Sequence, residues 1–167
     1  MKNFTHKILI LTLVSTFLFS SCSSDNEIEE FNSYGRHDIS LSYTNMEQEI
    51  FNLINNHRTS KGLPELGIYN IVSSEAITHT DYMIETGDVS HANFGTRHQN
   101  LVAYASAKSV SENVAYGFSS AEAVVNAWLN SEGHRLNIEN ASFTDFGIST
   151  KGNDEGRYYF TNIFIKR

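Results

Sequence analysis

Cysteine is almost missing from this chain of 167 residues, with Cys22 the single example. One thiol rules out an intramolecular disulfide, and it leaves no thiolate cluster to hold a metal. Proline occurs once, as Pro64. Positive charge is short: 12 Lys and Arg stand against 19 Asp and Glu, for a formal net charge of −7. Nucleic-acid binding draws on clustered Lys and Arg that displace counterions, and no such cluster is visible, which argues against a nucleic acid as partner. Long apolar runs are also scarce. One lies near the start, from Ile8 to Phe19, broken only by Thr and Ser. It is shorter than the roughly 20 residues a permanent membrane helix needs, and no second run follows, so a membrane-spanning mature chain is not expected. No internal repeat is present.

What is there begins with an address. Residues 1–21 read as an export signal: Lys2 and Lys7 supply a positive start, the apolar run follows, and Ser20 and Ser21 precede Cys22. Leu18-Phe19-Ser20-Ser21-Cys22 resembles a bacterial lipobox, although Phe19 stands where an aliphatic residue is usual. The resemblance implies cleavage before Cys22, acylation of its thiol and anchorage in outer-membrane lipid, facing the periplasm or the cell surface. The competing reading is ordinary signal cleavage with an incidental free thiol, which would be a reactive liability in an exported protein. Residues 22–43, starting Ser23-Ser24-Asp25-Asn26-Glu27 after the cysteine, are polar and acidic with no sustained apolar period, as a solvated tether requires. Acidic residues at this place resemble surface-export signals of some lipoproteins, and a plain spacer is the other reading. Loss of residues 1–21 removes two lysines and takes the net charge from −7 to −9.

Residues 44–167 are one domain's worth of chain, enough to bury a core without staples. Ile50, Leu53 and Ile54 give Glu47 to Lys61 a helical period, with Asn45 as N-cap and Gly62 and Pro64 closing it. A second helix is expected from Ile71 to Thr86, stopped by Gly87, then a loop carrying His91, then a short helix from Arg97 to Ser106. Val110 to Tyr116 reads as a strand holding Glu112. Ser119 or Ser120 caps a helix to about Asn130 with Trp128 on its buried side. Phe146 to Thr150 and Tyr158 to Ile165 read as paired strands, the second apolar on both faces and therefore covered on both. Helices first, then strands mixed with a further helix, give an α+β fold with an antiparallel sheet.

Three polar positions stand out within this frame: His91 in Val89-Ser90-His91, Glu112 in Ser111-Glu112-Asn113-Val114-Ala115, and His134 in Trp128-Leu129-Asn130-Ser131-Glu132-Gly133-His134-Arg135. Together with Asn55-Asn56-His57-Arg58, Ala76 to Met83 and Phe143-Thr144-Asp145-Phe146-Gly147-Ile148, these motifs in this order resemble the CAP superfamily of cysteine-rich secretory, antigen 5 and pathogenesis-related proteins and its bacterial members. The resemblance spans about 120 residues. It implies a three-layer α-β-α sandwich with a mainly antiparallel sheet, in which His91, Glu112 and His134 meet in one cleft. Two departures matter. Many eukaryotic relatives carry a second cleft glutamate where this chain has Ser131, with Glu132 one position late, and the disulfides of secreted eukaryotic members are absent.

Two imidazoles and a carboxylate are suitable donors for a divalent ion such as zinc. His91 and His134 are then the ligands, with Glu112 either a third ligand or the group that orients one imidazole. A hydrolytic reading has Glu112 orient a histidine that takes a proton from water or from Ser90, Ser111 or Ser131. No Gly-x-Ser-x-Gly elbow and no His-Glu-x-x-His helix is present. The third reading is a binding or structural module, the imidazole–carboxylate contact tying loops together and the cleft rim meeting an envelope or extracellular protein, lipid or glycan. This last reading is favoured, with a metal-assisted or general-base hydrolase at the envelope, protease-like, as the alternative. His79 is read as a structural histidine, Arg58 as a brace for the C-terminal strands, Asn113 as the residue that positions the loop beside Glu112, and Arg135 and Asn137 as satisfying backbone groups around His134.

Overall fold

The computed structural model describes residues 40–167. The expected signal, Cys22 and the tether as far as residue 39 lie outside the described residues. Tyr43, at the end of the expected tether, already docks on the domain: its hydroxyl reaches Asn70 Oδ1 at 2.8 Å and Ser73 Oγ at 2.9 Å.

Helix α1 spans Asn45–Ser60. Its cap is Thr44 and not Asn45. Thr44 Oγ1 accepts from the Glu47 amide while Glu47 Oε2 accepts from the Thr44 amide, the reciprocal pairing that satisfies two orphan donors of the first turn. Glu47 Oε1 also accepts from the Thr150 amide at 2.7 Å, so the cap is tied to a distant strand. A two-residue strand β1, Gly67–Ile68, leads into α2, Asn70–Thr86, which stops at Gly87 in the left-handed conformation that glycine tolerates. Helix α3 spans Phe94–Ala105 and starts three residues before the expected Arg97. Strand β2 is Ser109–Tyr116, and α4, Ala121–Asn130, is capped by Ser120 as expected. A further helix α5, Glu132–Ile138, was not anticipated. Strands β3, Asp145–Gly152, and β4, Tyr158–Lys166, form the expected hairpin.

The sheet order is β1-β3-β4-β2, antiparallel except for the short β1–β3 pair. Strand β4 is thus internal, and its two apolar faces are both used. Phe160 and Phe164 join Ile50 and Ile54 of α1, Val124 and Trp128 of α4 and Ile138 of α5 in one core. Ile163 and Ile165 join Ile71, Val72 and Ala76 of α2 and Leu101 and Ala105 of α3 in another. The result is the three-layer α-β-α sandwich that the sequence implied. Gly147 of β3 sets the approach of α2: a Cβ there would lie 2.2 Å from Ser73 N and 2.3 Å from Val72 C.

Candidate functional site

The candidate residues assemble around β2, the edge strand of the sheet. Glu112 pairs in register with Ile163, so its side chain turns toward the α2–α3 layer. There the carboxylate is almost wholly buried, its side chain 1 % exposed. Arg97 grips it with a two-pronged contact, Nε to Oε2 and NH2 to Oε1, both 2.8 Å, while NH1 donates to Ala92 O at 2.7 Å. His91 Nδ1 lies 2.8 Å from Glu112 Oε1. A carboxylate held in a guanidinium fork can only accept, so Nδ1 carries the proton and the neutral ring has its lone pair at Nε2. The His91 side chain is 53 % exposed. Glu112 therefore fixes the ring's direction without covering it.

His79 completes the cluster from α2. Its Nε2 donates to Ser90 O at 2.7 Å and lies 3.8 Å from Glu112 Oε1, which pins the segment before His91 to the helix. Burial lowers the His79 pKa; the Glu112 carboxylate opposes that shift, and the Arg97 guanidinium adds to it. Its Nδ1 is buried without a hydrogen-bond partner, consistent with a neutral ring protonated at Nε2.

His134 arrives from the other layer. It sits on α5, which Asn113 and Asn137 fasten to β2: Asn113 Nδ2 donates to His134 O at 3.1 Å, and Asn137 Nδ2 donates to Asn113 Oδ1 at 2.8 Å and to Glu112 O at 3.4 Å. Trp128 Nε1 donates to Val114 O and holds α4 to the same strand. Burial lowers the His134 pKa first, and a protonated His91 would lower it further. No hydrogen bond joins His134 to His91 or Glu112 among the described residues. A cavity of about 250 Å³ opens beside His91, lined by Phe94, Val110, Ser111, Glu112 and Asn137.

The structure places His91 against Glu112, while His134 is linked to His91 by charge alone and lies outside the lining of the His91 cavity. Glu132 lies exposed in the first turn of α5 and has no hydrogen bond to the other three among the described residues. Arg58 braces differently from the expectation. It donates to Pro64 O, Ile138 O and Asn140 O, holding the end of α5 and the following turn and no strand. Arg97 was missed, and a signal existed. Arg97, Leu101 and Ala105 form the buried stripe of α3 at four-residue spacing, and an arginine heading an apolar stripe demands a buried carboxylate.

As to metal, both Glu112 oxygens are taken by Arg97 and His91, so the carboxylate fits the role of orienter and not that of ligand. His91 Nε2 and His134 are the two imidazole donors on offer. Among the described residues no group of three or more His, Cys, Asp or Glu is arranged to hold an ion.

Comparison with known proteins fits this geometry. Residues 51–164 match the CAP family, the cysteine-rich secretory protein family, and the chain belongs to it. Two relatives come from Bacillus subtilis. YlbC, described as a membrane protein, is 32 % identical over 127 residues, covering 74 % of this chain and 35 % of its own length. YkwD is 34 % identical over 122 residues, covering 71 % and 46 %. The chain thus spans less than half the length of either curated relative. Among solved structures, an outer surface protein of Borrelia burgdorferi superposes with a TM-score of 0.69 at 25 % identity, covering 76 % of this chain and 96 % of that one. An extracellular protein of Bacillus anthracis containing an SCP domain gives 0.64 at 30 % identity, covering 77 % and 45 %. No described helix is long and apolar enough to cross a membrane.

Proposed function

We propose that this protein is an exported CAP module, anchored to the outer membrane through acylated Cys22, that uses the His91–Glu112–His134 cleft to bind a ligand at the cell envelope and performs no chemistry on it. The observation that carries the reading is the state of Glu112. Its oxygens are engaged by Arg97 and His91, so it orients the imidazole and is itself no base, and among the described residues no hydroxyl is hydrogen-bonded to the remaining His91 Nε2 as a nucleophile would be. What remains open to solvent is the Nε2 side of His91 beside the small cavity, an acceptor set above the apolar walls of Phe94 and Val110. A few oriented polar groups over apolar lining are what a recognition pocket needs. The outer-surface and extracellular descriptions of the superposable proteins support an exported location.

The test is turnover. The mature chain is assayed against ester, peptide and glycoside reporters beside Glu112→Gln, with folding checked by circular dichroism. The binding reading expects no turnover from either protein; hydrolysis that disappears in Glu112→Gln would overturn it. One observation favours a second reading, metal-assisted hydrolysis: burial keeps His134 neutral next to His91, and neutral imidazoles ligate zinc. Zinc retention after equilibrium dialysis that falls in His91→Ala would support that reading, and equal retention by both proteins would remove it.

A further inference from the structure

Strand β2 ends the sheet on one side, and among the described residues β4 is its only partner strand. The register fixes which of its main-chain groups that partner uses. Continued by one residue, it puts Gly117 opposite Tyr158, and Gly117 N donates to Tyr158 O at 2.8 Å. The odd-numbered residues of β2 therefore carry the ladder to β4, and the even-numbered ones turn N–H and C=O outward. Two of these outward carbonyls are served from inside the domain: Val114 O accepts from Trp128 Nε1 at 3.1 Å, and Glu112 O from Asn137 Nδ2 at 3.4 Å. The Val110 N–H, the Val110 C=O and the Glu112 N–H have no protein partner among the described residues. Main-chain groups of this kind are satisfied by water or by another chain.

The His91 cavity lies against those groups. Val110, Ser111 and Glu112 all line it, with His91 and Phe94 on one side and Asn137 of α5 on the other. Successive side chains of a strand point to opposite faces. Val110 and Glu112, opposite Ile165 and Ile163, face α2 and α3, whereas Ser111, opposite Phe164, faces the other layer. A cavity that touches all three lies off the edge of the strand, between the two helical layers. Glu112 agrees: the residue is 6 % exposed but its side chain only 1 %, so the part that reaches the surface is main chain. At about 3.4 Å per residue, Val110 to Glu112 offers about 7 Å of open edge. N–H and C=O groups at strand spacing are matched by a second extended main chain, which adds to a sheet edge in this way. An alkyl chain would strip water from them and offer neither donor nor acceptor. A charged ligand would find Arg97 and Glu112 already spent on each other. We infer that the open edge of β2 takes an extended segment of a partner polypeptide as an added strand along Val110 to Glu112. His91 Nε2 and the Phe94 ring then meet side chains of that segment. The inference rests on the reading of the His91 cleft as a binding site and names the class of its ligand.

An array of immobilised random octapeptides, probed with the mature chain in detergent, tests it. The tightest binder is then labelled and titrated by fluorescence anisotropy, together with a set of copies N-methylated at one residue each. Saturable binding is expected. Methylation of the residue whose N–H faces Val110 O should weaken it about tenfold or more, while methylation of either neighbour, whose N–H points away, should change it less than about twofold. Val110→Pro deletes an N–H that the ladder to β4 does not use, a position where edge strands accept proline, and should also weaken binding about tenfold or more. The methylation scan uses the unaltered protein, so it decides the matter should Val110→Pro fail to fold. No saturable peptide, equal sensitivity at neighbouring residues, or full affinity in a folded Val110→Pro overturns the inference. So does a dimer in sedimentation velocity that Val110→Pro abolishes, since the edge would then belong to a second copy of this chain. Each of these outcomes leaves standing the non-catalytic reading of the cleft, which turnover in Glu112→Gln decides.

Discussion

Arg97 and Glu112 are each nearly closed to water, and either charge left there without the other would be costly. The two-pronged geometry supplies what desolvation removes, and His91 takes up remaining acceptor capacity on Oε1. Such a pair is costly to break from one side. Arg97→Met should lower stability by about 3–5 kcal/mol in urea unfolding, while Arg97→Met with Glu112→Met should recover much of that loss, because two apolar side chains leave no stranded charge. A double variant no more stable than the single one would mean that the pair stabilises the fold beyond its own desolvation. His79 gives a pH signature. Its folded pKa is lowered from 6.5 by burial, so the unfolded chain binds the proton more readily. Its contribution to stability is therefore complete above about 6.5 and is lost as pH falls through the depressed folded value. His134 is shifted the same way. Unfolding free energies measured from pH 7.5 down to 5 should decline in the wild type. The decline should be shallower in His79→Gln, which retains an N–H for Ser90 O but cannot titrate.

Among the elements, those with strong local patterns were legible and those made by tertiary contact were not. Strand β4 announced itself because a central strand is apolar on both faces, as Phe160 and Phe164 against Ile163 and Ile165 show. The end of α2 was marked by Gly87, where the chain turns left-handed. Helix α5 was invisible: seven residues, Gly133 inside it, and no side-chain cap at its start. It persists because Asn113 holds His134 O and Arg58 holds Ile138 O, contacts that span 21 and 80 residues. The two residues of β1 have no identity until β3 lies alongside. The site divided in the same way, since His91 and Glu112 sit in recognisable local motifs whereas Arg97 declares its role only once α3 faces β2. Gly147 is where the element scale is most exposed. Its missing side chain lets β3 touch the α2 backbone near Ser73, and Ile148 N donates to Ser73 Oγ at 3.2 Å across the same contact. Backbone cannot yield as a flexible side chain would. Gly147→Ala should therefore cost about 3 kcal/mol or more, the upper part of the range for overpacking. Gly133→Ala, with open space around it, should cost far less. Equal melting temperatures for the two variants would refute the close packing of α2 on β3.

At the scale of the whole molecule, folding and the proposed anchorage are expected to be separable. The described domain closes on itself from Tyr43 onward, with Tyr43 fastened to α2 through Asn70 and Ser73. The proposed attachment at Cys22 lies about 20 residues earlier, a span that reaches at most about 70 Å when fully extended. The buried residues of both described cores begin at Ile50. Acyl chains contribute about 0.8 kcal/mol per buried methylene, and one chain gives marginal, reversible binding where two or more hold firmly. Cys22→Ser should thus release the protein from the membrane fraction into the aqueous phase of a detergent partition, with loss of the lipid mass by intact-mass analysis. Its melting temperature should match that of the anchored protein. Wild-type protein already aqueous, with an unmodified thiol at Cys22, would dismiss the anchor while leaving the CAP fold untouched. A fall in melting temperature on substitution would instead show that the segment before Tyr43 packs on the domain and is no tether.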